Sequence, residues 1–79
     1  MTKHQTFTDF CCEWPRLVGP QIAAIARPAA MDSTGVLHVR ATTTAWRREL
    51  SEFSADILAA LPTSLEGVIV RRIQWHGAA

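Results

Sequence analysis

The chain has 79 residues and only two cysteines, Cys11 and Cys12, which are adjacent. Neighbouring residues cannot adopt ordinary disulfide geometry without severe backbone strain, so a fold stabilised by disulfide bonds is excluded. A structural zinc site needs four ligands, and its cysteines are usually separated by two to four residues. Although His4 lies close by in sequence, this pattern predicts small buried hydrophobic residues rather than a metal site.

The sequence also lacks a long apolar run, a secretory signal pattern and an excess of one charge. It has eight lysines and arginines, seven acids and a net charge of +1. We therefore expect a cytoplasmic protein with reduced thiols and no membrane partner. Any attraction to nucleic acid must come from the placement of the basic residues, because the overall field is weak.

Catalytic signatures are missing as well. The sequence has no GxxxxGK[ST] phosphate loop, no HExxH and no nucleophile elbow. His38 and His76 have no acid or nucleophile at a spacing that assigns them a catalytic role. We expect no enzyme activity, no cofactor and a single domain over 1–79, with flexible ends at 1–6 and 77–79.

What is present begins with a helical pattern. Thr6 or Thr8 is the expected N-cap. Pro15 lacks a backbone donor, so a short first turn and a new start at Pro15 are predicted. The helix then resumes over 21–27 and ends before Pro28. In the segment before residue 21, the apolar residues of one helix face recur at spacings of four, three and one: Phe10, Trp14, Leu17 and Val18.

A β-hairpin follows. Residues 29–31 form its first strand, 32–35 its turn and 36–41 its second strand. In the second strand, one face carries Leu37, Val39 and Ala41. His38 and Arg40 point to the other face.

A long amphipathic helix is predicted next, with a cap among the threonines at 42–44 and an end at Pro62. Its apolar positions lie at gaps of four, three, four and four: Trp46, Leu50, Phe53, Ile57 and Leu61. A loop over 63–67 and a final strand over 68–76 complete the chain. In that strand Ile73 and Trp75 share one face. Residues 68–70 break the alternation, which predicts either a bulge or a buried beginning of the strand.

This order, helix, strand, strand, helix, strand, predicts an α+β fold in which helices cover one face of a three-stranded sheet. The other face is expected to be open and partly basic, with His38, Arg40, Arg72 and Gln74. The predicted core consists of Trp14, Leu17, Val18, Leu37, Val39, Leu50, Phe53, Ile57 and Ile73.

Arg47 and Arg48 lie in the first turn of the long helix, where the helix dipole disfavours cations. They indicate a surface that binds nucleic acid or a protein partner. Arg40 belongs to it, and so do Arg71 and Arg72 if the last strand lies beside the hairpin. The alternative is a solvated surface on which Arg48 pairs with Glu52.

The three tryptophans have two interpretations each. Trp46 is either a core anchor, which its periodicity favours, or an exposed aromatic that docks into a partner. Trp14 is interpreted in the same way. Of the three, Trp75, near the end of the chain, is the one expected to be partly exposed.

Three segments in this order resemble a known family: WPRLVG at 14–19, GVLHV at 35–39 and AWRREL at 45–50. Together with Pro28 and the ending VRRIQWHG at 70–77, they resemble the DciA-like family of bacterial replicative-helicase loaders. The resemblance extends over 10–77.

The resemblance implies a KH-like domain that binds the hexameric replicative helicase and, more weakly, single-stranded or tailed DNA. It implies an assembly role without chemistry, in the cytoplasm at the nucleoid. RNA-binding KH domains clamp the nucleic-acid backbone with a GxxG loop, which this chain lacks. Two alternatives stay open: a free-standing DNA- or RNA-binding module, and a protein-interaction or dimerisation domain.

Overall fold

The computed structural model describes residues 6–77. Of the ends expected to be flexible, 1–5 and 78–79 lie outside the described residues. The α+β class and the order helix, strand, strand, helix, strand are confirmed. The elements are α1 (Phe7–Val18), α2 (Pro20–Ile25), β1 (Ala26–Met31), β2 (Val36–Ala41), α3 (Thr44–Ser51), α4 (Ser54–Ala60), β3 (Ser64–Leu65), β4 (Val68–Ile69) and β5 (Arg72–His76).

The main sheet has the order β1-β2-β5. β1 and β2 form an antiparallel hairpin, whereas β2 and β5 run parallel, with Val36 opposite Arg72 and Arg40 opposite His76. A parallel neighbour requires a crossover connection, which α3, α4 and the small β3–β4 hairpin provide. The helices lie on one face of the sheet, and the other face is open.

α1 runs through Pro15 without interruption, so the predicted restart there was wrong. Thr6 is the N-cap, and its hydroxyl accepts a hydrogen bond from Asp9 N at 3.1 Å. Phe10 and Trp14 pack edge to face, with ring centroids 5.7 Å apart, on the buried side of the helix. Their burial anchors the part of the helix before the proline and offsets the lost helical hydrogen bond, which costs about 3 kcal/mol.

The chain leaves α2 at Ile25, earlier than predicted, and Pro28 lies inside β1 instead of ending a helix. An edge strand tolerates proline, and the register of β1 shifts between Pro28 and Ala30. The indole N–H of Trp14 donates to the Ala26 carbonyl at 2.8 Å, within the buried core. This contact fixes the point where helix becomes strand.

The predicted long helix is two helices, α3 and α4, with a break at 52–53. At the break Phe53 N donates to the Leu50 carbonyl, three residues earlier. The hydroxyl of Ser54 then accepts a hydrogen bond from the indole N–H of Trp75 at 3.1 Å. Trp75 is therefore buried, at 6% exposed, and the expectation of a partly exposed Trp75 was wrong.

The predicted final strand is shorter than expected. Val68 and Ile69 pair instead with Ser64 and Leu65 in a separate hairpin. Its turn residues Glu66 and Gly67 have φ of +50° and +80°, as a tight two-residue hairpin turn requires. The Glu66 carboxylate accepts a hydrogen bond from Phe7 N at 2.9 Å, which ties this hairpin to the start of α1.

The core lies between the helices and the covered face of the sheet. Leu17 and Val18 are half-buried at its edge. Phe53, predicted in the core, is 52% exposed, because the helix break turns it towards solvent. The other predicted core residues are buried: Trp14, Leu37, Val39, Leu50, Ile57 and Ile73.

Candidate partner-binding surfaces

The basic and aromatic residues singled out in the sequence lie on several different elements. Arg40 and Arg72 point outward from the open face of the sheet, whereas Trp46, Arg47 and Arg48 belong to α3. Arg71 lies in the short link between β4 and β5. No hydrogen bond or salt bridge within the described residues joins any two of the six side chains.

An apolar groove lies between α2 and α3, and we call it the α2–α3 groove. Trp46 and Phe53 are 44% and 52% exposed, although large aromatics are usually buried. The position of Trp46 is fixed by the cap of α3, because the Thr43 hydroxyl accepts a hydrogen bond from Trp46 N at 3.0 Å. The groove is lined by Gln21, Ile22, Ile25, Trp46, Glu49, Leu50 and Phe53.

Trp46 thus lies at the edge of the core, and the interpretation favoured by its periodicity was wrong. The spacing of Trp46, Leu50 and Phe53 is helical, but only Leu50 is buried. The other two side chains leave a contiguous apolar surface open to solvent. Such a surface is typical of a protein-binding site.

Arg47 is half-buried, and Arg48 is exposed. Because α3 ends at Ser51, Arg48 lies in its last turn, where the helix dipole favours a cation, so the prediction of two arginines in a disfavoured first turn was wrong for Arg48. A Cβ placed on Gly77 would lie 3.1 Å from the Thr44 hydroxyl and 3.6 Å from Arg47 Cδ, so the first turn of α3 packs on the end of β5. Within the described part of the chain, no salt bridge joins Arg48 to Glu52. The predicted pairing does not form, and the Arg48 guanidinium faces solvent.

The open face of the sheet consists of the outward side chains of its three strands. Arg27 lies opposite Arg40, and Arg40 lies opposite His76, so these three form a row across the sheet. The alternating residues of β2 and β5 point into the core. The outward set is Arg27, Ala30, His38, Arg40, Arg72, Gln74 and His76.

Two histidines meet on this open face. His38 Nδ1 lies 2.8 Å from His76 Nε2, and the rings are stacked with centroids 5.1 Å apart. His38 Nε2 lies 3.3 Å from a carboxylate oxygen of Asp32. A carboxylate can only accept, so Nε2 of a neutral His38 donates to Asp32, and Nδ1 then accepts a hydrogen bond from His76 Nε2.

Asp32 is held by its own turn. Its other oxygen accepts hydrogen bonds from the Thr34 hydroxyl at 2.6 Å, Thr34 N at 2.9 Å and Val36 N at 3.1 Å. These bonds, with that of the Thr34 hydroxyl the largest cause, hold the pKa of Asp32 well below its usual value. The sequence predicted Asp32 only as a turn residue and did not show its contact with His38.

Arg71 lies over the hairpin turn. Its backbone N–H donates to the Gly35 carbonyl at 2.8 Å. Gly35 has φ of +95°, and a Cβ there would lie 2.9 Å from Arg71 Cγ and collide with the Ile69 carbonyl. Only glycine fits at this crossing of two chain segments.

In residues 6–77, no group of three or more His, Cys, Asp or Glu side chains is arranged to hold a metal ion. No helix in this part of the chain is long and apolar enough to cross a membrane. Cys12 is exposed and Cys11 is half-buried. Burial, and to a lesser extent the neighbouring Cys12, raises the pKa of the Cys11 thiol.

Comparison with known proteins gives one family. The sequence model described as "Dna[CI] antecedent, DciA" matches residues 1–74. The UPF0232 protein of Mycobacterium tuberculosis (strain H37Rv) is 39% identical over 67 residues, which are 85% of this chain and 35% of that protein. The UPF0232 proteins of Mycobacterium marinum and Mycobacterium ulcerans are 36% and 34% identical over the same shares. The chain thus spans about a third of the length of these relatives.

Proposed function

The chain belongs to the DciA family, and on that premise we propose that it is a non-catalytic adaptor of DNA replication. It binds the hexameric replicative helicase and assists its loading onto DNA. The observation that carries this proposal is the α2–α3 groove, where two large aromatic side chains stay half exposed.

The groove has the composition of a protein-binding site. Tryptophan is among the residues most enriched where binding energy concentrates, and such anchors are typically set in an apolar patch with a polar rim. Trp46 and Phe53 supply the aromatic surface, Ile22 and Ile25 the apolar floor, and Glu49 a charged rim. The exposed Arg48, one position before Glu49 on α3, adds a charge beside the groove.

The groove also allows binding to be tested apart from folding. Trp14 is fully enclosed and donates a hydrogen bond to Ala26, so its removal would damage the core. Trp46 is half exposed, and its truncation removes much less buried surface. A loss of binding in Trp46→Ala therefore reports on the surface and not on the fold.

The test is capture of the purified helicase hexamer of the same cell by the domain, followed by a loading assay on tailed DNA. The proposal predicts capture at micromolar concentration, more helicase loaded on DNA, and loss of both in the Trp46→Ala, Phe53→Ala double variant. Ile69→Ala is the matched control, because Ile69 is 55% exposed but lies on β4, away from the groove.

Absence of capture by the unaltered domain would overturn the proposal. A second copy of this chain is the competing occupant of the groove. Light scattering after size-exclusion chromatography distinguishes it, because a dimer that becomes monomeric in the double variant would show that the groove binds a second copy. In that case the domain is a dimerisation domain instead of a helicase adaptor.

A further inference from the structure

We propose that the outer edge of β5 pairs with the same edge of a second copy of this chain, so that two three-stranded sheets become one sheet of six strands. A two-fold axis at Gln74 relates the two copies, and the two β5 strands run antiparallel. None of the residues that line the α2–α3 groove belongs to β5, so the pairing surface is distinct from the groove. The proposal goes beyond the adaptor role, because a single copy is enough to present a groove.

The first support is the unpaired edge of β5. The strand order is β1-β2-β5, so within residues 6–77 the only strand beside β5 is β2. The backbone N–H and C=O groups on the outer side of β5 therefore have no strand partner in the described chain. A row of unpaired backbone donors and acceptors is a template for another strand.

The second support is a difference between the two edges of the sheet. At the β1 edge, Pro28 lacks a backbone donor, and the register shifts between Pro28 and Ala30. Proline and irregular register are devices that prevent further strands from pairing with an edge. β5 has no proline, and it pairs with β2 without a register shift. One edge is thus protected against pairing, whereas the other is regular and accessible to a strand.

The third support is that β5 is complementary to itself. Antiparallel pairing about Gln74 places Gln74 opposite its own copy, Ile73 opposite Trp75, and Arg72 opposite His76. On the open face, each of the two Gln74 amides can donate to the other and accept from it. On the covered face, a β-branched residue meets an aromatic one, which is a favourable cross-strand combination.

The pairing of Arg72 with His76 follows from the hydrogen bonds of the histidines. His76 Nε2 donates to His38 Nδ1, and His38 Nε2 donates to Asp32. A neutral His76 therefore keeps its Nδ1 as an acceptor. Arg72 is exposed, has only donors, and forms no salt bridge within the described residues. In the symmetric pair, each His76 can accept a hydrogen bond from Arg72 of the other copy.

These pairs favour a second copy over an extended peptide of another sequence. A foreign strand would satisfy the backbone groups of β5, but it would not match all three side-chain pairs together. Two copies also repel each other little, because the net charge of each is only +1. We expect a weak dimer, since pairing through one short strand buries less than the roughly 1,200 Å² of a stable interface.

The test is sedimentation velocity of the unaltered chain from about 10 µM to about 1 mM, the range in which small interfaces associate. A monomer–dimer equilibrium is expected. Gln74→Lys should weaken dimerisation about tenfold or more, because like charges then meet at the two-fold axis. Ala30→Lys is the matched control. It adds the same charge to the open face, but on β1, and should change dimerisation by less than about twofold.

A charge exchange makes the test specific for the two-fold axis. Mixing Gln74→Lys with Gln74→Glu in equal amounts should restore dimerisation to about the level of the parent, because opposite charges then face each other. Circular dichroism and thermal melting confirm that each variant stays folded.

Three results would overturn the inference: a chain that remains monomeric over the whole concentration range, equal losses in Gln74→Lys and Ala30→Lys, and a mixture that does not dimerise. The inference and the adaptor role fail separately. The Trp46→Ala, Phe53→Ala double variant should still dimerise, since it leaves β5 unchanged, and Gln74→Lys should still be able to capture the helicase. Loss of the dimer in that double variant would assign the dimer to the groove and contradict pairing through β5.

Discussion

Arg27 and Arg40 lie directly opposite each other across β1 and β2, and no described carboxylate is close enough to form a salt bridge with either. A sheet selected for stability alone would place opposite charges at such a pair. The pair therefore lowers the stability of the sheet.

Replacing Arg27 with Glu creates an opposite-charge pair with Arg40. We expect the free energy of unfolding, measured with urea, to rise by about 0.2–1 kcal/mol. If the free energy of unfolding falls instead, the arginine pair has a structural role that the cross-strand geometry does not explain.

Ser54 supplies the acceptor for the part-buried indole N–H of Trp75. Ser54→Ala should lower the free energy of unfolding by about 1–3 kcal/mol, because the indole donor loses its partner. Ser51→Ala is the matched control, since the Ser51 hydroxyl donates to the Arg48 carbonyl on an exposed helix surface. Urea denaturation of both variants checks this, and equal losses would contradict the role given to Ser54 at the helix break.

Asp32 makes the stability of the domain depend on pH. Its folded-state pKa is lowered, so its stabilising contribution is present above the unfolded-state value of about 3.9 and is lost as pH falls towards the folded-state pKa. Asp32→Asn should therefore be less stable than the parent at pH 7. The difference should shrink as the pH is lowered through that range.

Thermal melting of both proteins from pH 7 down to pH 3 measures this dependence. Asp56→Asn serves as a control, because Asp56 lies in the exposed first turn of α4, far from the hairpin turn in sequence. If the melting temperature of the parent changes with pH just as that of Asp32→Asn does, the hydrogen bonds to Asp32 are not the cause of the pH dependence.

Gly35 and Gly67 both have positive φ, but their surroundings differ. At Gly67 a Cβ would meet nothing within 4 Å, so Gly67→Ala should cost only the backbone strain, about 1–2 kcal/mol. At Gly35 the same strain is joined by a collision with the Ile69 carbonyl. We expect Gly35→Ala to be clearly the more destabilising of the two in urea denaturation. Equal effects would mean that the contact between the turn and the segment before β5 is not close.

The order of elements could be predicted because period-two and period-3.6 patterns are local. The errors arose where a tertiary contact decided the outcome. The indole N–H of the buried Trp75 is hydrogen-bonded to Ser54, just after the break between α3 and α4, and Pro15 follows two enclosed aromatic residues, Phe10 and Trp14. No spacing in the sequence shows these contacts.

The candidate surfaces were predictable in residue type but not in grouping. The parallel pairing of β5 with β2 brings His76 to His38 and Arg40. Sequence patterns show which side of a strand a residue occupies, but they do not show which strand is its neighbour. Likewise, helical periodicity marked Trp46 and Phe53 as apolar-face residues without showing that the core ends before it covers them.

The affinity of Trp46→Ala for the helicase hexamer tests the central claim most directly. Truncation of an interface anchor costs about 2 kcal/mol or more, so binding should weaken about 30-fold or more. The melting temperature should stay close to that of the parent, and Ile69→Ala should bind as the parent does. A Trp46→Ala protein that is folded and binds the hexamer within twofold of the parent would contradict the α2–α3 groove as the helicase-binding site.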